Sequence, residues 1–275
     1  MSLSGTQVAT EKTLLPCGRD LWDLAEPEGI GQVLETLNPN AVVHCAAFTA
    51  VDAAEDAQGE ANTINAVAPG LLAAACAERG IKLIHISTDY VFEGSANAPY
   101  KPDDPTGPIG AYGASKLAGE KAVSLADPTA SIIRVSWLYD SQGQNFLNTM
   151  LRLSEGRNEL TVVDDQWGCP THAGHLAQDL LLWLDTMFED PIKTAGIQHY
   201  GHEGITTWHG FASAIMAQRA PHVKVLPVPS SAFPTKAKRP AYSKLDESLF
   251  FQSIAGQPVT WQAALQECLE STPLS

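Results

Sequence analysis

The 275-residue chain is short of cysteine, of aromatic residues and of positive charge, and each shortage removes a class of protein. Five cysteines (Cys17, Cys45, Cys76, Cys169, Cys268) stand far apart with no Cys-x-x-Cys pair. That pattern excludes a disulfide scaffold and a structural zinc site, and it suits a reducing cytosol. Seventeen Lys and Arg face 31 Asp and Glu, a net charge of −14, which argues against non-specific binding to nucleic acid or to an anionic membrane. Long apolar runs are missing as well: the longest lies around Leu71–Ala77, and no charged-then-apolar leader opens the chain. Neither a membrane span nor a signal peptide is expected, and the expected location is cytoplasmic.

What is present is a sizeable core. Hydrophobic residues make up 44% and charged residues 17%, a globular composition rather than a disordered one. Apolar, β-branched runs at Asn40–Ala47, Ile81–Ser87 and Ser131–Trp137 alternate with helical stretches, one from about Gln58 to Arg79 closed by Gly80, another beginning near Ala111. Strands apolar on both faces that alternate with helices predict an α/β fold, a Rossmann-like doubly wound parallel sheet covered on both sides. Beyond Asp140 the prolines multiply, and shorter helices at His172–Met187, Thr207–Arg219 and Thr260–Glu270 point to a smaller C-terminal α/β substrate lobe. Residues 1–138 and about 172–202 are therefore assigned to a dinucleotide-binding part. Residues about 139–171 and 203–275 go to the substrate lobe, with the ligand between them beyond the carboxyl ends of the strands.

The chemistry concentrates after the second run. Ser87-Thr88-Asp89-Tyr90 closes a strand, and Tyr112-Gly113-Ala114-Ser115-Lys116 opens a helix. Residues four apart share a helix face, so a phenol and an ammonium meet there. A neighbouring cation lowers the pKa of a phenol, and a strand-end threonine hydroxyl can bind the same substrate oxygen, giving a proton donor for a carbonyl that receives hydride. The bare Tyr-x-x-x-Lys pair arises by chance about 0.2 times in such a composition, so its weight comes from its place beside Ser87-Thr88. A second cluster, Lys236, Lys238, Arg239 and Lys244, is either a solvated loop or an anion-binding lip.

These residues resemble the Ser/Thr–Tyr–Lys triad of the extended short-chain dehydrogenase/reductase superfamily. The runs Cys45–Glu55, Ser87–Phe92 and Tyr112–Glu120 narrow the resemblance to the dTDP-4-dehydrorhamnose reductase family. Ser136–Tyr139, Asn145-Phe146, Asp165–Thr171 and Arg239-Pro240 with Ser243 agree with it over about residues 20–270. The resemblance implies reduction of the 4-keto group of dTDP-6-deoxy-L-lyxo-4-hexulose by NADPH or NADH to dTDP-L-rhamnose, a polysaccharide precursor. It implies Tyr112 as proton donor, Lys116 as its pKa-lowering partner and ribose ligand, and Thr88 as ligand of the carbonyl oxygen. Ala46, Ala47, Phe48 and Thr49 would line the cofactor, with Asp23 and Leu24 near the adenine. Thr88, Asp89, Trp137 and Asn145 would face the sugar, and Arg239 the diphosphate. No metal ligands are assigned, and a homodimer is a family expectation.

The family's opening strand and glycine-rich turn have no clear counterpart. Gly5-Thr6-Gln7-Val8 resembles the tail of that turn, which makes Thr6, Gln7 and Val8 the expected pyrophosphate contacts. Gly29-Ile30-Gly31 imitates the motif without a strand before it and is read as the start of a helix. Two explanations compete: a normal reductase whose sequence here lacks part of its N-terminal segment, which is the favoured expectation, or a protein truly without that strand, whose dinucleotide affinity would be poor. A 4,6-dehydratase is disfavoured because Tyr90, not glutamate, follows Thr88-Asp89. A 4-epimerase and a non-catalytic homologue like the regulatory subunit of methionine adenosyltransferase remain the alternatives.

Overall fold

The computed structural model describes residues 12–271. Four parallel strands, Ala41–His44, Lys82–Thr88, Ser131–Val135 and Gly196–His199, lie side by side in chain order. The period-2 alternation of strand side chains sorts their residues between two cores. Leu83 and Ile132 face the helices Ile30–Leu37, Ala68–Arg79 and Ala111–Ala126, packing with Leu34, Leu72, Cys76 and Val123. Ile84, Ile86, Ile133 and Val135 face the other way, toward the helix Ala173–Glu189 and Trp183, Tyr200 and Phe250. This is the expected parallel sheet with both faces covered. A third core gathers Tyr139, Leu147, Leu160, Phe211, Ile215, Trp261 and Leu265 around the helices Phe146–Ser154, Trp208–Arg219 and Trp261–Glu270. Two-stranded pairs border it: Leu138–Tyr139 with Thr171–His172, Glu159–Val163 with Lys224–Val228, and Trp167–Gly168 with Thr206–Thr207.

Local chemistry accounts for most boundaries. Gly80 ends its helix at φ 66°, the left-handed conformation glycine tolerates. Thr207 and Thr260 lie one residue before their helices, and their side chains accept from Gly210 and Ala263 backbone N–H groups. The third strand stops at Val135, two residues earlier than expected, because Trp137 turns to φ 49°. Gly29 precedes the helix Ile30–Leu37 with no strand before it among the described residues, as expected for a decoy of the phosphate-binding turn.

The single helix expected over Gln58–Arg79 is instead three segments: Gln58–Asn62, a π-helical turn Thr63–Val67, and Ala68–Arg79. Pro69 has no N–H to offer the Asn65 carbonyl four residues back, and the ladder widens there. That carbonyl turns toward Gly119, where a Cβ would stand 2.0 Å from it. Only glycine lets the helix Ala111–Ala126 come so close. Among the described residues no helix is long and apolar enough to cross a membrane.

Candidate active site

The site forms at the carboxyl end of the second strand, where the chain leaves the sheet through Thr88 and a short 3-10 turn, Asp89–Val91. The helix Ala111–Ala126 starts beside this turn. Its first backbone N–H, at Ala111, donates to Glu55 Oε1 at 2.8 Å, so the Cys45–Glu55 segment fixes where the helix begins. Gly113 then sits against the turn, since a Cβ there would lie 2.1 Å from the Tyr90 carbonyl. The result places Tyr112 over Thr88, with the rings of Tyr112 and Tyr90 edge to face at 5.5 Å.

Thr88, Asp89 and Tyr112 are brought together. The Thr88 hydroxyl donates to Asp89 Oδ1 at 3.0 Å and accepts from the Tyr90 N–H at 3.2 Å. Burial pushes the Tyr112 phenol up to about 12, and a hydrogen bond from Thr88 to the phenolate works against that rise. Burial also lifts the Asp89 carboxyl to about 6, partly offset by hydrogen bonds from Ser243 and Thr88. At neutral pH the phenol therefore keeps its proton, ready to give.

Lys116 departs from expectation. Its ammonium donates to the Ile86 carbonyl at 2.7 Å and lies 3.4 Å from His85 Nε2. It is 2% exposed, and burial lowers it to about 8 against the supporting charge of Glu120. The phenol shifts upward, not downward, because burial dominates and the ammonium is held two strand residues deeper than Thr88, on the Ile86 carbonyl.

Behind Lys116 lies a row of groups that sequence reasoning missed. His85 Nδ1 and His44 Nδ1 are 3.0 Å apart, on adjacent strands in register. Burial drives His44 down to about 3 and His85 well below its ordinary value, each helped by the Lys116 charge. With Lys116 donating to His85 Nε2, the neutral ring of His85 carries its proton on Nδ1 and donates it to His44. Glu120 and Arg134 form a fully buried bidentate pair at 2.8 and 2.7 Å, and the Ser87 hydroxyl donates to Glu120 at 2.5 Å. Asn65 clamps the loop after the first strand, accepting from Phe48 N at 2.8 Å and donating to Phe48 O at 3.0 Å and to Ser115 at 2.9 Å. The terminal glutamate of Tyr-Gly-Ala-Ser-Lys-Leu-Ala-Gly-Glu was the available signal for Glu120; nothing local marked its partner.

The remaining expected residues are more dispersed. Ala46 and Thr49 are exposed and Ala47 and Phe48 half-buried on the loop after the first strand, beside the sheet's carboxyl end. Asp23 pairs with Arg19 at 2.9 Å and accepts from Ala25 N, and Leu24 is half-buried next to it. Arg239 does not point unpaired into a pocket: it makes two bonds to Asp52, at 3.2 and 2.9 Å. Trp137 stacks flat on Trp208 with ring centres 3.6 Å apart, in a slot that Gly168 leaves open. Asn145 caps the helix Phe146–Ser154 by accepting from Asn148 N, and it donates to the carbonyls of Asp140 and Gln142. Thr6, Gln7 and Val8 lie outside the described residues.

For a dinucleotide, the described residues fit the nicotinamide end. An exposed loop backbone held by Asn65, a phenol on Thr88 and a buried ammonium line one sheet end. The expected pyrophosphate contacts belong to residues 1–11.

The model of the RmlD substrate binding domain matches residues 2–273. A dTDP-4-dehydrorhamnose reductase of Burkholderia thailandensis is 40% identical over 267 residues, covering 93% of this chain and 90% of the relative. One of Escherichia coli is 38% identical over 253 residues, covering 90% and 84%. Among solved structures, the dTDP-4-dehydrorhamnose reductase of Bacillus anthracis in complex with NADP superposes with a TM-score of 0.86 at 35% identity, covering 94% of this chain and 90% of that one. The parallel sheet is thus the Rossmann-like sheet of these reductases, and the chain belongs to the dTDP-4-dehydrorhamnose reductase family, that of the RmlD substrate binding domain.

Proposed function

We propose that the protein reduces the 4-keto group of dTDP-6-deoxy-L-lyxo-4-hexulose to give dTDP-L-rhamnose, using NADPH or NADH. The observation that carries this reading is the buried cluster at the sheet end, where the Tyr112 ring lies edge to face on Tyr90 beside Thr88 and Asp89, with the Lys116 ammonium buried one helical turn along. Reduced nicotinamide, when bound, supplies the hydride to the carbonyl carbon. Tyr112 gives its proton to the carbonyl oxygen as negative charge develops there. Thr88 holds that oxygen and, through Asp89, keeps its own hydroxyl oriented. Lys116, anchored on the Ile86 carbonyl and beside His85, offers its remaining N–H to the cofactor ribose. Ala46, Ala47, Phe48 and Thr49 offer backbone to the cofactor, Asp23 and Leu24 sit on its adenine side, and Trp137 and Asn145 border the sugar. Arg239, pre-aligned by Asp52, faces the diphosphate, since a guanidinium fork matches paired phosphate oxygens. The lobe division at about residues 138, 171 and 202 follows from this placement.

Relatives between 37 and 40% identical carry the reductase name, which leaves the dehydratase, epimerase and regulatory readings without support. The test is oxidation of added NADPH on mixing with the 4-keto sugar nucleotide. Stoichiometric conversion to dTDP-L-rhamnose is expected. Turnover that needs no added cofactor, from tightly held NAD, would instead mark an epimerase.

A further inference from the structure

Three metal-ligating side chains meet where the paired strands Leu138–Tyr139 and Thr171–His172 pack against the helix Trp261–Glu270. The register sets Tyr139 opposite His172, so Asp140 and His172 emerge at the same end of the pair. Cys268 comes from the buried face of the helix. A carboxylate oxygen of Asp140, a ring nitrogen of His172 and the sulfur of Cys268 all lie within 4.8 Å of one another. The cysteine spacing excluded a structural zinc site in the sequence, and it misses this cluster because the three residues come from three separate elements.

The surroundings of the cluster also call for a ligand. The Tyr139 hydroxyl, on a side chain 2% exposed, and His172 Nδ1 are buried without a hydrogen-bond partner. The Tyr139 ring lies 5.6 Å from that of His172, which sets it against the same cluster. Buried polar groups ordinarily find partners, and a group of such atoms in one place is a site short of an occupant. The Cys268 side chain is fully buried, so its sulfur is held inside the cluster. A hydrogen bond from the Ser141 backbone supports the sulfur.

We propose that Asp140, His172 and Cys268 bind one thiophilic divalent cation of the zinc class. Sulfur, imidazole and carboxylate together suit zinc, whereas magnesium and calcium take oxygen donors alone. Tetrahedral bonds of about 2.0–2.3 Å place ligand atoms roughly 3.5 Å apart, a contraction within reach of side-chain rotation. Three protein ligands leave a fourth position facing the Tyr139 hydroxyl or water. The cation would tie the C-terminal helix to the strand pair, away from Tyr112, so its role is to brace the lobe rather than to take part in proton transfer.

The test uses the full-length protein, treated with chelator and then titrated with ZnCl2, CoCl2 or MgCl2. One equivalent of zinc should bind and raise the melting temperature, and cobalt should show thiolate-to-metal charge-transfer absorption. Magnesium should do neither. Cys268→Ala and His172→Gln should each weaken zinc binding by about 100-fold or more and abolish the cobalt band, while His175→Gln should leave both unchanged. Asp140→Asn, at a partly exposed position, should weaken binding even if the buried variants fail to fold. Wild-type protein without a thiolate–cobalt band, or zinc binding lost equally in His175→Gln, would overturn the assignment.

Discussion

The end of the sheet and the C-terminal rim of the site are built in opposite ways. At the sheet end every functional group is held by a buried neighbour: Thr88 by Asp89, Lys116 by the Ile86 carbonyl and His85, Glu120 by Arg134 and Ser87. At the rim the groups are partly exposed and held by partly exposed neighbours, as Arg239 is by Asp52 and the Ala237 carbonyl, and Trp137 by Trp208. Low-dielectric burial strengthens the first set and makes each loss expensive, whereas solvent screens the second. Under the proposed function, the chemistry sits where geometry is over-determined and recognition of the sugar nucleotide where it is adjustable.

The contrast predicts graded costs. Glu120→Ala should be the most damaging to the fold, because it strands Arg134, 1% exposed, without its counter-charge. A loss of roughly 3–5 kcal/mol in chemical denaturation is expected. A loss below about 1 kcal/mol would show the sheet end to be no more rigid than the rim.

Acid should also act on the sheet side first. His44, His199 and His202 are each lowered to about 3 in the folded protein, mainly by burial, and return to about 6.5 on unfolding. Between those values the unfolded chain binds more protons, so stability falls as pH falls. Asp89, raised to about 6, acts in the opposite sense between about 6 and its ordinary 3.8 and offsets part of the loss. The balance is roughly 3–4 kcal/mol lost from pH 6.5 to pH 5, measurable by urea titration at each pH. A flat profile would mean these imidazoles are not neutral.

The smallest effect belongs to the rim. Arg239→Ala should raise KM for the sugar nucleotide about tenfold, roughly 1.4 kcal/mol, with kcat and melting temperature little changed. A large fall in kcat instead would place Arg239 in the chemistry and erase the distinction.

The same division governs what could be read from the chain. Thr88, Tyr112 and Lys116 were legible because their relation is local, a strand end and one helical turn, and periodicity fixes such geometry. The strands and the Gly80 stop were legible for the same reason. Asp52 and Arg239 lie 187 residues apart, and His44 and His85 lie 41 apart, so only the fold joins them. The π-helical turn at Thr63–Val67 was hidden because Ala-rich sequence reads as unbroken helix, though Pro69 was a warning. The upward shift of Tyr112 was missed since spacing shows which charges share a face but not how deeply they are buried.

The most direct measurement is the steady-state turnover of Tyr112→Phe with NADPH and dTDP-6-deoxy-L-lyxo-4-hexulose, on protein whose melting temperature matches wild type. Removing one hydroxyl should cut kcat by roughly 100-fold or more while leaving KM within a few-fold, the scale of lost general-acid assistance. Turnover within a factor of two of wild type would contradict Tyr112 as the donor.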